Sequence, residues 1–215
     1  MSMKPILFNI EMVRAIMEGR KTVTRRMVKP QPKGAHTVLD CDDYEQTFDM
    51  LCGNGGEGGV SLDWAETIKA PCWEGDILWV RETWAKNPFR DGYIYPTEVP
   101  GAGQKWKPSI HMPREAARLF LRVTDVRVER LQDIDDDGAK AEGANYQDGK
   151  NVGWEEKMRR TAIDRFAEIW DNTIKPADLH LYGWEANPWV WVIEFERVSK
   201  DEALGGGGDD CTDAH

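Results

Sequence analysis

The sequence predicts an α+β fold: a small mixed β-barrel with flanking helices and loop insertions. Three observations point there. Strand-like runs at residues 77–84, 119–130 and 189–195 carry two-residue alternation or, in the last, begin apolar on both faces. Irregular stretches at residues 33–70 and 86–118 separate them, so no regular strand-helix repeat is present. The helices are few, which with those strands suggests a small mixed barrel of α+β character.

Taken in order, residues 9–18 read as a helix. Asn9 is a candidate N-cap, Ile10, Val13, Ile16 and Met17 form a stripe at helical spacing, and Gly19 suits the left-handed position beyond the last turn. Residues 21–28 are then β-like, rich in threonine and valine, until Pro30 and Pro32. Residues 33–70 are weakly periodic around Gly53-Asn-Gly-Gly-Glu-Gly-Gly59 and are expected to be a surface insertion or mobile loop. Gly75-Asp76 is a turn signal before a strand. Alternation there places Ile77, Trp79, Arg81 and Thr83 on one face, and Leu78, Val80, Glu82 and Trp84 on the other.

Residues 86–118 make a loop-rich excursion containing Lys107-Pro-Ser-Ile-His-Met-Pro-Arg114. In the strand at 119–130 the apolar parity changes between Val123 and Val126, which suggests a bulge. Residues 135–142 read as a short helix with acids at its start and Gly143 after it. Residues 161–170 form an amphipathic helix with Ile163, Phe166, Ala167 and Trp170 facing inward. The run from Trp189 to Phe195 is apolar on both faces at its start, the pattern of a central strand. Residues 199–215, with Gly205 to Gly208 followed by acids, read as a disordered tail. One domain over residues 1–198 is expected, with insertions at about 33–70 and 86–118.

Composition narrows the function. A net charge of -10 opposes wholesale coating of nucleic acid, though a small cationic pocket for one base or nucleoside is compatible with it. Cys41, Cys52, Cys72 and Cys211 contain no CxxC pair and nothing resembles a signal peptide, so reduced thiols in a cytoplasmic protein are expected. With His36 the first three could bind zinc, but the spacings fit no common zinc pattern, and no metal or other cofactor is assigned. No apolar run has the length of a membrane span.

The residues that stand out most are Glu18-Gly-Arg-Lys-Thr-Val-Thr-Arg-Arg-Met27, a cationic, hydroxyl-bearing cluster at a helix-to-strand corner. Threonine needs a base to act as a nucleophile. Lys21 could serve Thr24 if burial or Arg20, Arg25 and Arg26 lowered its pKa. On an ideal strand the two residues face opposite ways, so joint action requires Lys21 to lie in the corner before the strand, or a twist there. The plain alternative is a solvated cationic strand end.

Glu82 sits among apolar residues and should meet either the Lys21 cluster, a ligand or a structural arginine. Glu142, at a helix C-terminus, is disfavoured by the dipole and therefore hints at a partner; a surface accident is the alternative. Trp84, Trp106 and Trp184 lie where an indole could stack on a base, and equally where one packs. His111, near Ser109 and Pro113, could donate to a ligand or be structural. No Ser-His-Asp set, P-loop or glycine fingerprint appears, which argues against nucleoside-triphosphate chemistry.

Gly19-Arg-Lys-Thr-Val-Thr-Arg25 resembles the G-x-K-x-x-x-R signature of ASCH domains, relatives of the PUA fold. Gly75 to Glu82 and the closing Trp-Val-Ile-Glu-Phe-Glu-Arg197 resemble that family's second block and last strand, and the whole layout is similar to phage and prophage ASCH proteins. The resemblance covers residues 4–198. It implies a small barrel whose cleft suits a nucleobase or RNA. It also implies the activity of the bacterial N(4)-acetylcytidine amidohydrolase, which uses a lysine, a threonine and a glutamate without metal. Its lysine maps to Lys21 and its threonine to Thr24. Its glutamate maps to Glu142, with Glu82 as the alternative carboxylate. Arg20, Arg25, Glu82, Trp84, Ser109 and His111 are the expected substrate-binding residues. The implied partner is a nucleoside, with RNA as the polymer alternative. A non-catalytic RNA or modified-base reader and a ribonuclease are the rival readings.

Overall fold

A computed structural model describes residues 2–54, 61–99, 105–144 and 161–205. In chain order, β1 (Met3–Leu7), α1 (Ile10–Met17), β2 (Val23–Met27), β3 (Ala35–Asp42), β4 (Thr47–Asn54) and β5 (Ser61–Lys69) come first. They are followed by β6 (Ile77–Arg81), the short β7 (Ala85–Lys86) and β8 (Tyr93–Ile94), and β9 (Phe120–Arg130). The remainder is α2 (Asp136–Ala141), α3 (Ala162–Thr173), α4 (Leu179–Tyr182), β10 (Trp189–Val198) and α5 (Lys200–Ala203). This is a mixed α+β chain of sheets with few helices. Its contacts divide it into two compact units: Met1–Arg14, Gly75–Val123 and Phe195–His215 form one, and Ala15–Glu74 with Thr124–Glu194 form the other.

In the first unit β1 pairs parallel with β6, Met3 opposite Ile77, and β6 pairs antiparallel with the start of β9, Leu78 opposite Leu121. The buried Asp76 opens β6. It accepts hydrogen bonds from the Ser2 backbone N and Oγ, both at 2.8 Å, and an ion pair from Lys4 at 3.0 Å. The expected alternation holds in part: Leu78, Val80, Glu82 and Trp84 are all buried, but strand geometry stops at Arg81. Ile77, Trp84, Tyr95, Met112, Phe120 and Val198 make this unit's core. Among its described residues the excursion before β9 is loop-rich, with one two-residue hairpin pair and two short 3-10 turns.

In the second unit β2 lies antiparallel to β10, Thr24 opposite Ile193 and Arg25 opposite Val192. The start of β10 is buried on both faces, as its apolar run requires. Residues 33–70 differ from expectation. They contain an antiparallel sheet in the order β3-β4-β5, not a loose insertion. Phe48, Met50 and Cys52 alternate inward along β4, and the Phe48 ring packs 5.5 Å from both Trp73 and Trp191. That period-two pattern was present in the sequence but is masked by its glycine-rich neighbours; residues 55–60 lie outside the described residues.

The helices follow their caps. Asn9 Oδ1 accepts from Met12 N at 2.8 Å and so starts α1, which buries Val13, Ala15 and Ile16. Met17, expected in that stripe, is 42% exposed because it lies on the solvent side of the last turn. Thr161 and Asp164 form a reciprocal capping box that starts α3. Phe166 and Trp170 on α3 join Val23, Leu131, Ile134, Ala139, Val190 and Val192 in the second core. Burial of each such large side chain contributes about 1.5–3 kcal/mol relative to exposure. The burial parity of β9 does change between Val123 and Val126. The expected disordered tail begins with the helical turn α5, capped by Ser199 through Glu202; residues 206–215 lie outside the described residues.

Candidate functional site

Two helix ends, both closed by glycine, build the site within the second unit. At the end of α1, Gly19 takes φ 74°, Gly19 N donates to Ile16 O, and Arg20 N donates to Ala15 O. At the end of α2, Gly143 takes φ 84°, Gly143 N donates to Lys140 O, and Ala144 N donates to Ala139 O. Both are Schellman closures, in which a residue without Cβ reverses the chain and satisfies the last carbonyls. They meet closely. A methyl group on Gly143 would lie 3.1 Å from Ala15 Cβ and 3.4 Å from Lys21 Cβ.

The reversals bring Lys21 and Glu142 together. Thr22 N donates to Ala141 O at 2.9 Å, and Lys21 and Glu142 form an isolated antiparallel bridge. Lys21 therefore lies in the corner before β2, as joint action with Thr24 would require. Its side chain is completely buried. Its ammonium donates to Glu142 Oε2 at 2.5 Å, to Glu142 O at 2.9 Å and to Val23 O at 2.7 Å. Burial lowers its pKa, opposed by Glu142 and reinforced by Arg26 and Arg25. Desolvation by burial likewise lowers Arg26, with Glu142 opposing.

Glu142 thus has the partner that its place at a helix C-terminus called for. Its second oxygen faces Arg25 Nη1 at 3.5 Å. Arg25 is buried, its guanidinium carbon 5.9 Å from the centre of the Phe166 ring, and its Nη2 donates to Glu129 Oε2 at 3.3 Å. Glu129 Oε1 accepts from Arg127 Nε at 2.5 Å. Neither Glu129 nor Arg127 stood out in the sequence. The signal was the alternation of Asp125, Arg127 and Glu129 along one face of β9.

Thr24 is buried in β2 one residue from Val23, which belongs to the core, and from Arg25. Strand alternation turns Thr24 and Arg26 to the face opposite Val23 and Arg25. Arg20, expected among the substrate ligands, is half-buried and pairs with Glu18 at 2.6 Å.

Glu82, Trp84, Ser109 and His111 belong to the first unit and make their contacts there. Glu82 meets a structural arginine: Arg118 Nε and Nη2 clasp its two oxygens at 2.8 Å each. Arg118 also donates to Glu98 Oε1 and Thr97 Oγ1 at 2.5 Å, and lies 4.0 Å from the Tyr95 ring centre. Trp84 is buried, not displayed, with Tyr93 edge-on at 5.5 Å and Lys107 Nζ over its face at 4.9 Å. Ser109 and His111 bracket a 3-10 turn, Ser109 half-buried and His111 exposed.

Among the described residues no group of three or more His, Cys, Asp or Glu side chains is placed to hold a metal ion. No helix among them is long and apolar enough to cross a membrane.

No protein-family model and no curated protein matches the chain. Among solved structures it is similar to the ASCH domain from Lactobacillus crispatus JV V101, a high-resolution crystal structure. The match has a TM-score of 0.35 and 12% identity, covering 92% of this chain and 80% of that one. A likeness of that size carries no argument about fold or chemistry.

Proposed function

We propose that this chain is an ASCH-type, PUA-like protein that removes the acyl group from N(4)-acetylcytidine or related N(4)-acylcytosine nucleosides, working without metal. In this reading the sheets belong to a small barrel of phage or prophage type. The observation that supports it most is the buried contact of Lys21 Nζ with Glu142 Oε2 at 2.5 Å. It joins the lysine and the glutamate that the sequence resemblance assigns to the chemistry, residues far apart in the chain.

In the reaction Thr24 Oγ attacks the acyl carbonyl carbon while neutral Lys21 takes the hydroxyl proton. The carbon–nitrogen bond then breaks as the exocyclic nitrogen receives that proton back, and cytidine leaves. Water hydrolyses the Thr24 ester, releasing the carboxylic acid and restoring the hydroxyl. Glu142 orients Lys21 and balances its charge in the protonated state. Desolvation favours the neutral amine that the first step needs.

Purified protein is incubated with N(4)-acetylcytidine beside Lys21→Ala and Thr24→Ala variants. Cytidine from the wild type alone is the expected result. No cytidine from the wild type, or undiminished release by both variants, ends the reading.

One observation favours a non-catalytic module that binds RNA or a modified base. All three ammonium donors of Lys21 already have protein acceptors, as in a structural ion pair. That reading expects salt-sensitive RNA binding that survives Thr24→Ala, without turnover.

A further inference from the structure

We infer that Arg25 is a positioning residue which holds the Glu142 carboxylate against Lys21, and that Glu129 holds Arg25 from outside. The inference rests on the amidohydrolase reading for its kinetic consequence, though not for its geometry.

The charges alternate along a path, with Arg26 also acting on Lys21 and Glu142. Lys21 meets Glu142 Oε2 at 2.5 Å, and Glu142 Oε1 faces Arg25 Nη1 at 3.5 Å. Arg25 Nη2 meets Glu129 Oε2 at 3.3 Å, and Glu129 Oε1 meets Arg127 Nε at 2.5 Å. Arg127 Nη1 ends the path on Asp125 and Glu194, at 2.7 and 2.5 Å. Side-chain exposure rises from 0% at Lys21, through 3% at Arg25 and 25% at Glu129, to 38% at Arg127. The path runs from a dry end to a wet one.

Arg25 is poorly placed as a substrate ligand. It shares the inward face of β2 with Val23, is 3% exposed and packs against the Phe166 ring. Two of its nitrogens already address carboxylates. It is also poorly arranged as a purely stabilising ion pair. Both contacts exceed 3.2 Å, and its buried Nε has no acceptor among the described residues. A buried guanidinium satisfied so loosely recovers little of its desolvation cost, and an apolar side chain there would serve stability as well. What an apolar side chain cannot do is fix the second oxygen of Glu142. Without it Glu142 Oε1 loses the guanidinium nitrogen that faces it.

Two measurements on Arg25→Gln, Arg25→Lys and Glu129→Gln test this. With N(4)-acetylcytidine, Arg25→Gln is expected to lower kcat about 100-fold with KM changed less than about 3-fold, the scale of a reacting group misplaced by about 1 Å. Arg25→Lys does not restore the rate, because one ammonium cannot bridge two carboxylates. Glu129→Gln, at the half-buried end of the path, lowers kcat about 10-fold and carries the test if Arg25→Gln does not fold. A rise in KM with kcat intact makes Arg25 a substrate ligand and overturns the inference.

The second measurement needs no activity. In a urea double-mutant cycle, Arg25→Gln and Glu142→Gln are expected to couple by at least about 5-fold in the unfolding constant. Additive effects overturn the inference. Failure of the function itself shows differently, as a wild type that releases no cytidine while the cycle still reports coupling.

Discussion

At the residue scale the decisive feature is a lysine with no exposed side-chain surface bound to a carboxylate that a second cation shares. Breaking such a pair by removing one partner leaves an uncompensated buried charge, which costs about 3–5 kcal/mol, whereas replacing both by apolar groups is close to neutral. Glu142→Leu is therefore expected to lower the unfolding free energy by about 3–5 kcal/mol in urea titrations. The joint Lys21→Met, Glu142→Leu variant should recover part of that loss but not all of it, because buried Arg25 still lacks the carboxylate it shared. The pH dependence has a definite sign. Burial sets the folded-state pKa of Lys21 below its ordinary value, so in the window between the two the unfolded chain binds more protons. Stability from this group then rises with pH across that window, which ends near the ordinary lysine value of about 10.4. Urea titrations between neutral pH and the upper end of that window should show a steeper rise for the wild type than for Lys21→Met. Equal slopes would mean that Lys21 stays as basic in the fold as out of it.

At the element scale the site depends on two chain reversals, and glycine is required at one of them for two reasons. Gly143 has φ 84°, where an L side chain costs about 1–2 kcal/mol, and its missing Cβ leaves room for Ala15 and Lys21. Gly19 has φ 74° but faces nothing within 4 Å. Gly143→Ala should therefore lower the thermal midpoint clearly more than Gly19→Ala, which carries the backbone cost alone. Equal shifts would show that the two helix ends do not press on each other. Both reversals were legible in the sequence, one as an apolar stripe and the other as an acidic helix start, each followed by glycine, because a helix end is decided by residues within one turn of it. The sheet of β3, β4 and β5 was not. Phe48, Met50 and Cys52 carry its alternation, yet the adjacent glycines, which carry no side chain to pack, diluted the periodic signal over the longer stretch.

At the scale of the whole molecule, charge limits what can bind. A chain with net charge -10 repels a polyanion at long range, while a neutral nucleoside is indifferent to it. The proposed hydrolysis of N(4)-acetylcytidine should therefore keep its KM within about 2-fold between about 50 and 200 mM salt, whereas any RNA affinity should fall steeply over that range. A KM that climbs with salt would indicate a charged substrate. The two compact units also sort the residues singled out in the sequence. Lys21, Thr24, Arg25 and Glu142 belong to one, and Glu82, Trp84, Ser109 and His111 to the other.

The helix ends at Gly19 and Gly143, the helix over residues 161–170, the buried face of Leu78, Val80, Glu82 and Trp84, the apolar start of β10 and the peculiarity of Lys21 were all legible in the sequence. Each depends on neighbours a few residues away, so local steric and hydrogen-bonding rules suffice. Which groups meet was settled by the folded chain alone. It gave Glu82 to Arg118 and set Arg25 between Glu142 and Glu129. Lys21 and Glu142 are separated by 121 residues, and Arg25 and Glu129 by 104. A buried charge states only that it needs an opposite partner. Which partner it finds depends on how the chain between them folds back.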